Sequence, residues 1–179
     1  MRANFPTIKT DRLLLRQFVD GDLENVYTGL SNPDVIKYYG VSFDSLEATR
    51  EQMVWFADLE KKETGIWWAV CSSDKNTFYG GIGFNNLCKE HRKAEIGFWL
   101  LPEFWGKGIL KEAMPLVLNH AFTFHGLHRI EAFVESENQN CKIYLNKMSF
   151  RHEGTMINCE IKNNEFISVD IYARLKTGE

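Results

Sequence analysis

The chain has 179 residues, 44% hydrophobic and 25% charged with 13% aromatic, a profile that supports one packed domain and excludes a disordered chain. Its 21 Lys and Arg against 24 Asp and Glu leave a formal charge of -3, so no global field draws a nucleic acid. Cys71, Cys88, Cys141 and Cys159 are widely spaced, with no CxxC pair and no His at zinc-like spacing, which argues against a metal centre.

A β-type run, Arg12 to Phe18, precedes the turn and cap Asp20-Gly21-Asp22 and a helix over Leu23 to Leu30. Ser45 caps a second helix that runs to about Lys62, with Met53, Val54, Phe56 and Ala57 at helical spacing. Three strands follow, Ile66 to Ser72, Thr77 to Asn86 and Lys93 to Leu101, which predict an antiparallel meander. From Ile109 to Phe124 the stripe Leu110, Ala113, Met114, Val117, Ala121 predicts a long helix. Pro115 lies inside it, on the face of Lys111, Asn119 and Thr123, so any bend opens toward solvent. A strand over His128 to Ser136, a helix over Gln139 to Met148 and strands over Phe150 to Cys159 and Phe166 to Arg174 complete the chain. His120, His125 and His128 read as partners of the long helix's carbonyl end.

The order β-α-α-β-β-β-α-β-α-β-β predicts an α/β (α+β) fold with a mixed sheet, in one domain over residues 1–179. The parallel pair flanking the long helix is the place where strands splay and admit a ligand. No signal-peptide pattern and no run of about 18 apolar residues occurs, so a reduced, cytoplasmic protein with no membrane segment is expected.

The turn Trp105-Gly106-Lys107-Gly108 before Ile109 places unpaired backbone N–H groups at a positive helix end, an anion site. Glycines let the backbone approach a diphosphate, and Lys107 adds charge. A plain tight turn would have the same residues. The Walker pattern fails because Gly108 follows Lys107, and the dinucleotide fingerprint fails at Lys111.

Ala94-Glu95-Ile96-Gly97-Phe98-Trp99-Leu100 followed by Pro102-Glu103-Phe104-Trp105-Gly106-Lys107-Gly108 resembles the central motif of the GNAT N-acetyltransferases, in the RimJ/RimL-like branch. Arg12 to Arg16, Arg129-Ile130-Glu131-Ala132, Asn138 and Lys147 to Phe150 extend the likeness over essentially the whole chain. The resemblance implies a GNAT-like fold with acetyl-CoA between the strand ending at Leu101 and the strand near His128. It implies that the diphosphate rests on Gly106, Gly108 and Ile109 beside Trp105 and Lys107. The pantetheine would pair with backbone at Trp99, Leu100 and Leu101, and Asn138 would hold its far end. Two positions depart from the family: Glu103 at the head of the phosphate loop and Ser149 where Gly is usual.

Amine acetylation needs a neutral amine, an oxyanion donor and a proton for the departing thiolate. The resemblance places the oxyanion donor at a bulge within Trp99 to Leu101. The family's usual acid Tyr falls on Leu145. The resemblance to the RimJ/RimL-like branch, which more often has Ser one turn earlier, implies Cys141 in that place, and Tyr144 lies beside the expected Tyr site, although both also fit a buried stripe with Leu145 and Met148. Glu95, sharing a face with Gly97 and Trp99, is the candidate base or a solvated strand carboxylate. Trp55, Trp67, Trp68 and Tyr79 could line an acceptor cleft or the core, with the loop Asn32 to Asp44 as its lid. Tyr38-Tyr39-Gly40 is the best acceptor contact. The reading is transfer of acetyl from acetyl-CoA to a primary amine, a protein N-terminus as in ribosomal-protein-modifying relatives. A small amine or antibiotic, or a non-catalytic CoA-sensing domain, is the alternative. A monomer or homodimer is expected.

Overall fold

Seven residues from Ile66 to Ser72 form a strand that is buried nearly throughout, because alternate side chains enter two separate cores. Ile66, Trp68 and Val70 join one core, while Trp67, Ala69 and Cys71 join the other. The structure is a computed structural model describing residues 5–176. Its strands are β1 (Ile8–Lys9), β2 (Leu13–Arg16), β3 (Ile66–Ser72), β4 (Phe78–Cys88), β5 (Lys93–Leu100), β6 (Arg129–Glu135), β7 (Arg151–Lys162) and β8 (Glu165–Leu175). Its helices are α1 (Leu23–Leu30), α2 (Pro33–Ile36), α3 (Leu46–Lys62), α4 (Ile109–Thr123) and α5 (Gln139–Lys147).

The strands form one sheet in the order β1-β2-β3-β4-β5-β6-β8-β7. The pair β5 and β6 is parallel, and the other neighbours are antiparallel. On one face α4 contributes Ile109, Ala113, Met114, Val117, Leu118 and Ala121, and α5 contributes Leu145. On the other, α1 gives Val26 and Leu30 and α3 gives Phe56 and Leu59. The expected mixed sheet is present, with β1 and the one-turn α2 as two further short elements.

Ser45 Oγ accepts the Ala48 N–H at 3.2 Å and so caps α3. The buried face of that helix is Thr49, Gln52, Phe56 and Leu59, however, and Val54 points to solvent. Two polar residues on the inner face hid the true stripe from a hydrophobicity pattern. The long helix runs through Pro115, which stays on its exposed side with Lys111, Asn119 and Thr123.

The expected capping role of His120 and His125 is not what the structure shows. Their Nε2 atoms are buried without hydrogen-bond partners, and His120 packs edge-on against Trp68 and stacks on Phe124. Burial holds both imidazoles below their ordinary pKa; His125 brings His120 further down, to about 4, while for His125 itself Lys89 adds to the effect of burial and Glu63 opposes it. They pack as neutral aromatic rings.

The last hairpin exceeds its expected length. β7 continues to Lys162, and Asn163 and Asn164, with φ of 51° and 65°, form a two-residue turn of type I′ geometry. β8 pairs with β6 only from Val169 onward. The pairs Glu160↔Ile167, Ile161↔Phe166 and Lys162↔Glu165 therefore overhang the end of β6.

Candidate active site

The site begins where the sheet opens. β5 and β6 pair only through Lys93↔Arg129, Ala94↔Ile130 and Glu95↔Glu131, and beyond these rungs they are no longer paired. The joined end is fastened by charge: Glu131 accepts from Lys93 at 3.0 Å and from Arg129 Nε at 2.8 Å, and Arg129 also donates to Glu153. Burial alone would raise the Glu131 pKa, but the donors outweigh it and hold it below the ordinary carboxylate value.

The open edge of β5 offers backbone groups. The Leu101 N–H donates to Tyr79 O at 2.9 Å, so Leu101 and, by alternation, Trp99 and Gly97 turn their amides toward β4. The amides of Phe98 and Leu100 consequently face the opening. No bulge interrupts β5 between Glu95 and Leu100, contrary to the expectation for Trp99 to Leu101. The register break lies on β4 instead, between Asn85 and Cys88, where Asn86 has φ of 52°. It aims Asn86 Nδ2 at Glu95 Oε2, 2.9 Å away.

Past Leu101 the chain makes a short 3₁₀ turn, Pro102–Phe104, and reaches the glycine turn. Gly106 and Gly108 have φ of 73° and 76°, and a Cβ at either would meet no atom within 4 Å. Left-handed backbone, rather than crowding within the chain, demands glycine there. Gly108 precedes α4 without any side-chain cap, so the first amides of the helix, from Ile109 on, keep their donors for an anion. Trp105 Nε1 donates to Leu100 O at 2.8 Å, pinning the turn to the end of β5 while its ring remains 48% exposed. Arg12 donates to Lys107 O at 3.3 Å and pairs with Glu112. Lys107 Nζ lies over the Phe104 ring, and Glu103 is exposed. The contact from Arg12 spans 95 positions in sequence, a distance over which no local pattern carries a signal.

α5 closes the opening from one face. Asn138 Oδ1 accepts the Cys141 N–H at 3.1 Å as the helix cap, which leaves the side-chain amide N–H groups of Asn138 as its donors toward a ligand. Tyr144 stands edge-on to Phe98, and its O–H donates to Leu110 O at 2.8 Å. Burial pushes the Cys141 thiol up to about 12 and the Tyr144 phenol above its ordinary value. Both are protonated at neutral pH.

Glu95 projects from the other face, toward α1 and α2. The segment after α2 packs Tyr39 against the core on this face, and burial followed by the Glu95 charge raises the Tyr39 phenol above its ordinary value. Trp67 and Trp99, 3% and 4% exposed, belong to the core beneath this side, and Trp68 lies in the opposite core. Gly97 accommodates the Trp67 ring, and Gly29 and Gly81 accommodate that of Trp99. Both indole N–H groups are buried without partners. Trp55 is partly exposed, 5.8 Å from Trp67 between ring centroids, and Tyr79 packs at the opposite core against Phe104.

A cavity of about 500 Å³ lies elsewhere, between the start of α5 and the final hairpin. Its groups satisfy one another: Asp170 accepts from Ser136 and Thr155 and pairs with Lys142. Burial opposes ionisation of Asp170, yet these donors bring its pKa down to about 2. Among the described residues no three His, Cys, Asp or Glu side chains converge as a metal site, the four cysteines are unpaired, and no helix is long and apolar enough to cross a membrane.

An open strand pair leading from an uncapped helix N-terminus defines a site for an extended ligand with an anionic group. Residues 12–151 match the model of the acetyltransferase (GNAT) domain. An N-acetyltransferase of Bacillus subtilis (strain 168), YoaA, is 35% identical over 98% of this chain and 99% of its own length. The spermidine N(1)-acetyltransferase of Escherichia coli (strain K12) is 25% identical over 85% of this chain and 80% of its own. The structure of RimL, a ribosomal L7/L12 α-N-protein acetyltransferase in complex with coenzyme A, matches with a TM-score of 0.85 at 22% identity, over 95% of this chain and 98% of that one. The chain belongs to the GNAT family, and it is an N-acetyltransferase.

Proposed function

We propose that the protein transfers acetyl from acetyl-CoA to the α-amine of a protein N-terminus. The observation that carries the acetyl-CoA half of this reading is the opening between β5 and β6 that runs from the uncapped start of α4. The diphosphate sits on the amides of Gly106, Gly108 and Ile109, near Trp105 and Lys107. The pantetheine runs along Trp99, Leu100 and Leu101 as a surrogate strand, with the Phe98 and Leu100 amides facing it and Asn138 at its far end. Coenzyme A in the RimL complex supports this cofactor.

On the acceptor side Glu95, steadied by Asn86, takes a proton from the incoming ammonium, directly or through water. The neutral amine attacks the thioester carbonyl, whose oxyanion is held by an amide facing the opening. A thiol held near 12 is a poor acid toward a thiolate of ordinary acidity near 8.5, since proton transfer would run roughly 5 kcal/mol uphill. Cys141 therefore stabilises the leaving thiolate as a hydrogen-bond donor; as the C–S bond breaks, the acylated nitrogen releases its second proton to solvent and the thiolate takes one from solvent. Tyr144 is committed to Leu110 and shapes the wall.

The polypeptide acceptor is favoured by the sheet surface beyond Glu95. Phe133 is 43% exposed on β6 between Glu131 and Glu135, whose side chains point the same way. A second reading, a polyamine acceptor, draws on the spermidine-acetylating relative. Mass spectrometry after incubation with acetyl-CoA and a panel of free-amine peptides and polyamines separates the two. Acetylation of polyamines with none of the peptides would overturn the protein N-terminus.

A further inference from the structure

The overhanging tip of the β7–β8 hairpin does not end in solvent. Lys162 reaches α2, 125 positions away, and donates to Lys37 O at 2.6 Å and more weakly to Ile36 O at 3.5 Å. The same ammonium is paired with Glu135, the last residue of β6, and both side chains are largely shielded. One cation thus joins three elements: the hairpin tip, the open end of β6 and the carbonyl end of α2.

Ile36 O also accepts the Tyr39 N–H at 3.1 Å. The carbonyl that Lys162 approaches is therefore the one that fixes the turn carrying Tyr39, and Tyr39 packs against the core of Trp67 and Trp99 on the face of the sheet that Glu95 shares. Hydrogen bonds run from Lys162 through the Ile36 carbonyl to the Tyr39 turn, and Tyr39 packs on the core of the sheet face from which Glu95 projects. Little apolar packing supports the hairpin here, since β7 is exposed along almost its whole length. A charge-assisted bond is the kind of contact that can hold such a tip in register.

We infer that Lys162 is a positioning residue for the acceptor: it fastens the α2–Tyr39 segment over the open end of β6 and so sets the wall against which the amine is presented to Glu95. This rests on the placement of the acceptor beside Glu95 in the proposed function. It does not depend on whether the acceptor is a peptide or a polyamine.

The test uses the whole protein with Lys162→Met and Lys162→Arg. In K162M, amide hydrogen exchange over residues 36–40 becomes faster, and KM for whichever amine the wild type acetylates rises about tenfold, the equivalent of one charge-assisted hydrogen bond. The kcat at saturating amine, CoA affinity and exchange in α4 stay as in the wild type. K162R, which keeps the cation and its donors, returns KM to near the wild-type value. Unchanged exchange at 36–40 in K162M overturns the proposal whatever the acceptor. Faster exchange with an unchanged KM overturns the positioning role as well. A loss shared equally by the amine KM, CoA affinity and thermal stability would mean general unfolding and also overturns it. Polyamine turnover without peptide turnover would sink the N-terminal acceptor while leaving this split to be read with the polyamine.

Discussion

Tyr144 and Cys141 are one helical turn apart and have different calls on their protons. The Tyr144 O–H is occupied by the Leu110 carbonyl, whereas Cys141 is held in its thiol form by burial. Tyr144→Phe should lower stability by about 1 kcal/mol, the net worth of one neutral hydrogen bond, and leave kcat within about twofold. Cys141→Ala should lower kcat by about tenfold or less without moving the pH optimum, as expected of a hydrogen-bond donor that does not ionise. Urea titration and initial rates between pH 6 and 9 check the pair; a shifted optimum in the Cys141 variant would return proton transfer to that thiol. Ser149 provides a contrast at the same scale. It is exposed at φ of 62°, where an L side chain is strained. Ser149→Gly should raise stability by about 0.5 to 1 kcal/mol with an unchanged dependence on denaturant.

At the scale of elements, the joined end of β5 and β6 governs how the opening is held. Glu131 lies between Lys93 and Arg129, and neutralising it would leave two cations facing each other without their shared partner. Glu131→Gln should cost about 1 to 2 kcal/mol, less than a fully buried pair because Lys93 is partly solvated. It should also weaken CoA binding, since the two strands would no longer diverge from a fixed point. Isothermal titration with CoA decides this, and undiminished affinity would show that the charges fasten the fold alone. The order of the main elements was legible because their apolar periods are local. The turn at Gly106 and Gly108 was legible for the same reason, being four contiguous residues ahead of a helix. On the face of Glu95 only the aromatic loop with Tyr39 stood out, since Asn86, Glu135 and Lys162 come from distant segments. Asn86 acts through a bulge at positive φ, and Asn163-Asn164 forms a hairpin turn without the glycine that normally marks one. The inner face of α3 escaped for a related reason, because Thr49 and Gln52 occupy positions that the apolar pattern assigned elsewhere.

The whole molecule should lose stability to acid in two separate stages. His120 is held at about 4 in the fold against an unfolded value near 6.5, so the unfolded chain binds the extra proton between these limits. Stability therefore falls as pH drops from about 6.5 toward 4, and His125 acts in the same direction. Asp170 behaves as an acid held low, at about 2 against an ordinary 3.8. Its contribution is intact above the unfolded value and is lost as pH falls from there toward 2. Urea midpoints measured from pH 7 to 2 should show both declines, and His120→Phe should flatten the first while leaving the later one. An identical profile in that variant would place the acid sensitivity elsewhere.

The free margin of the sheet at β7 carries a final consequence. A straight twelve-residue border with Ile157 and Ile161 exposed would invite strands of other molecules to continue the ladder. The register breaks between His152 and Gly154 and between Met156 and Glu160, with Asn158 at φ of 50°, cut that border into short lengths that do not lie in one line. The irregularities of this hairpin therefore shorten the run of edge backbone on which another strand could continue the ladder. Removing two residues between Met156 and Glu160 would restore an even register there and lengthen the edge open to pairing.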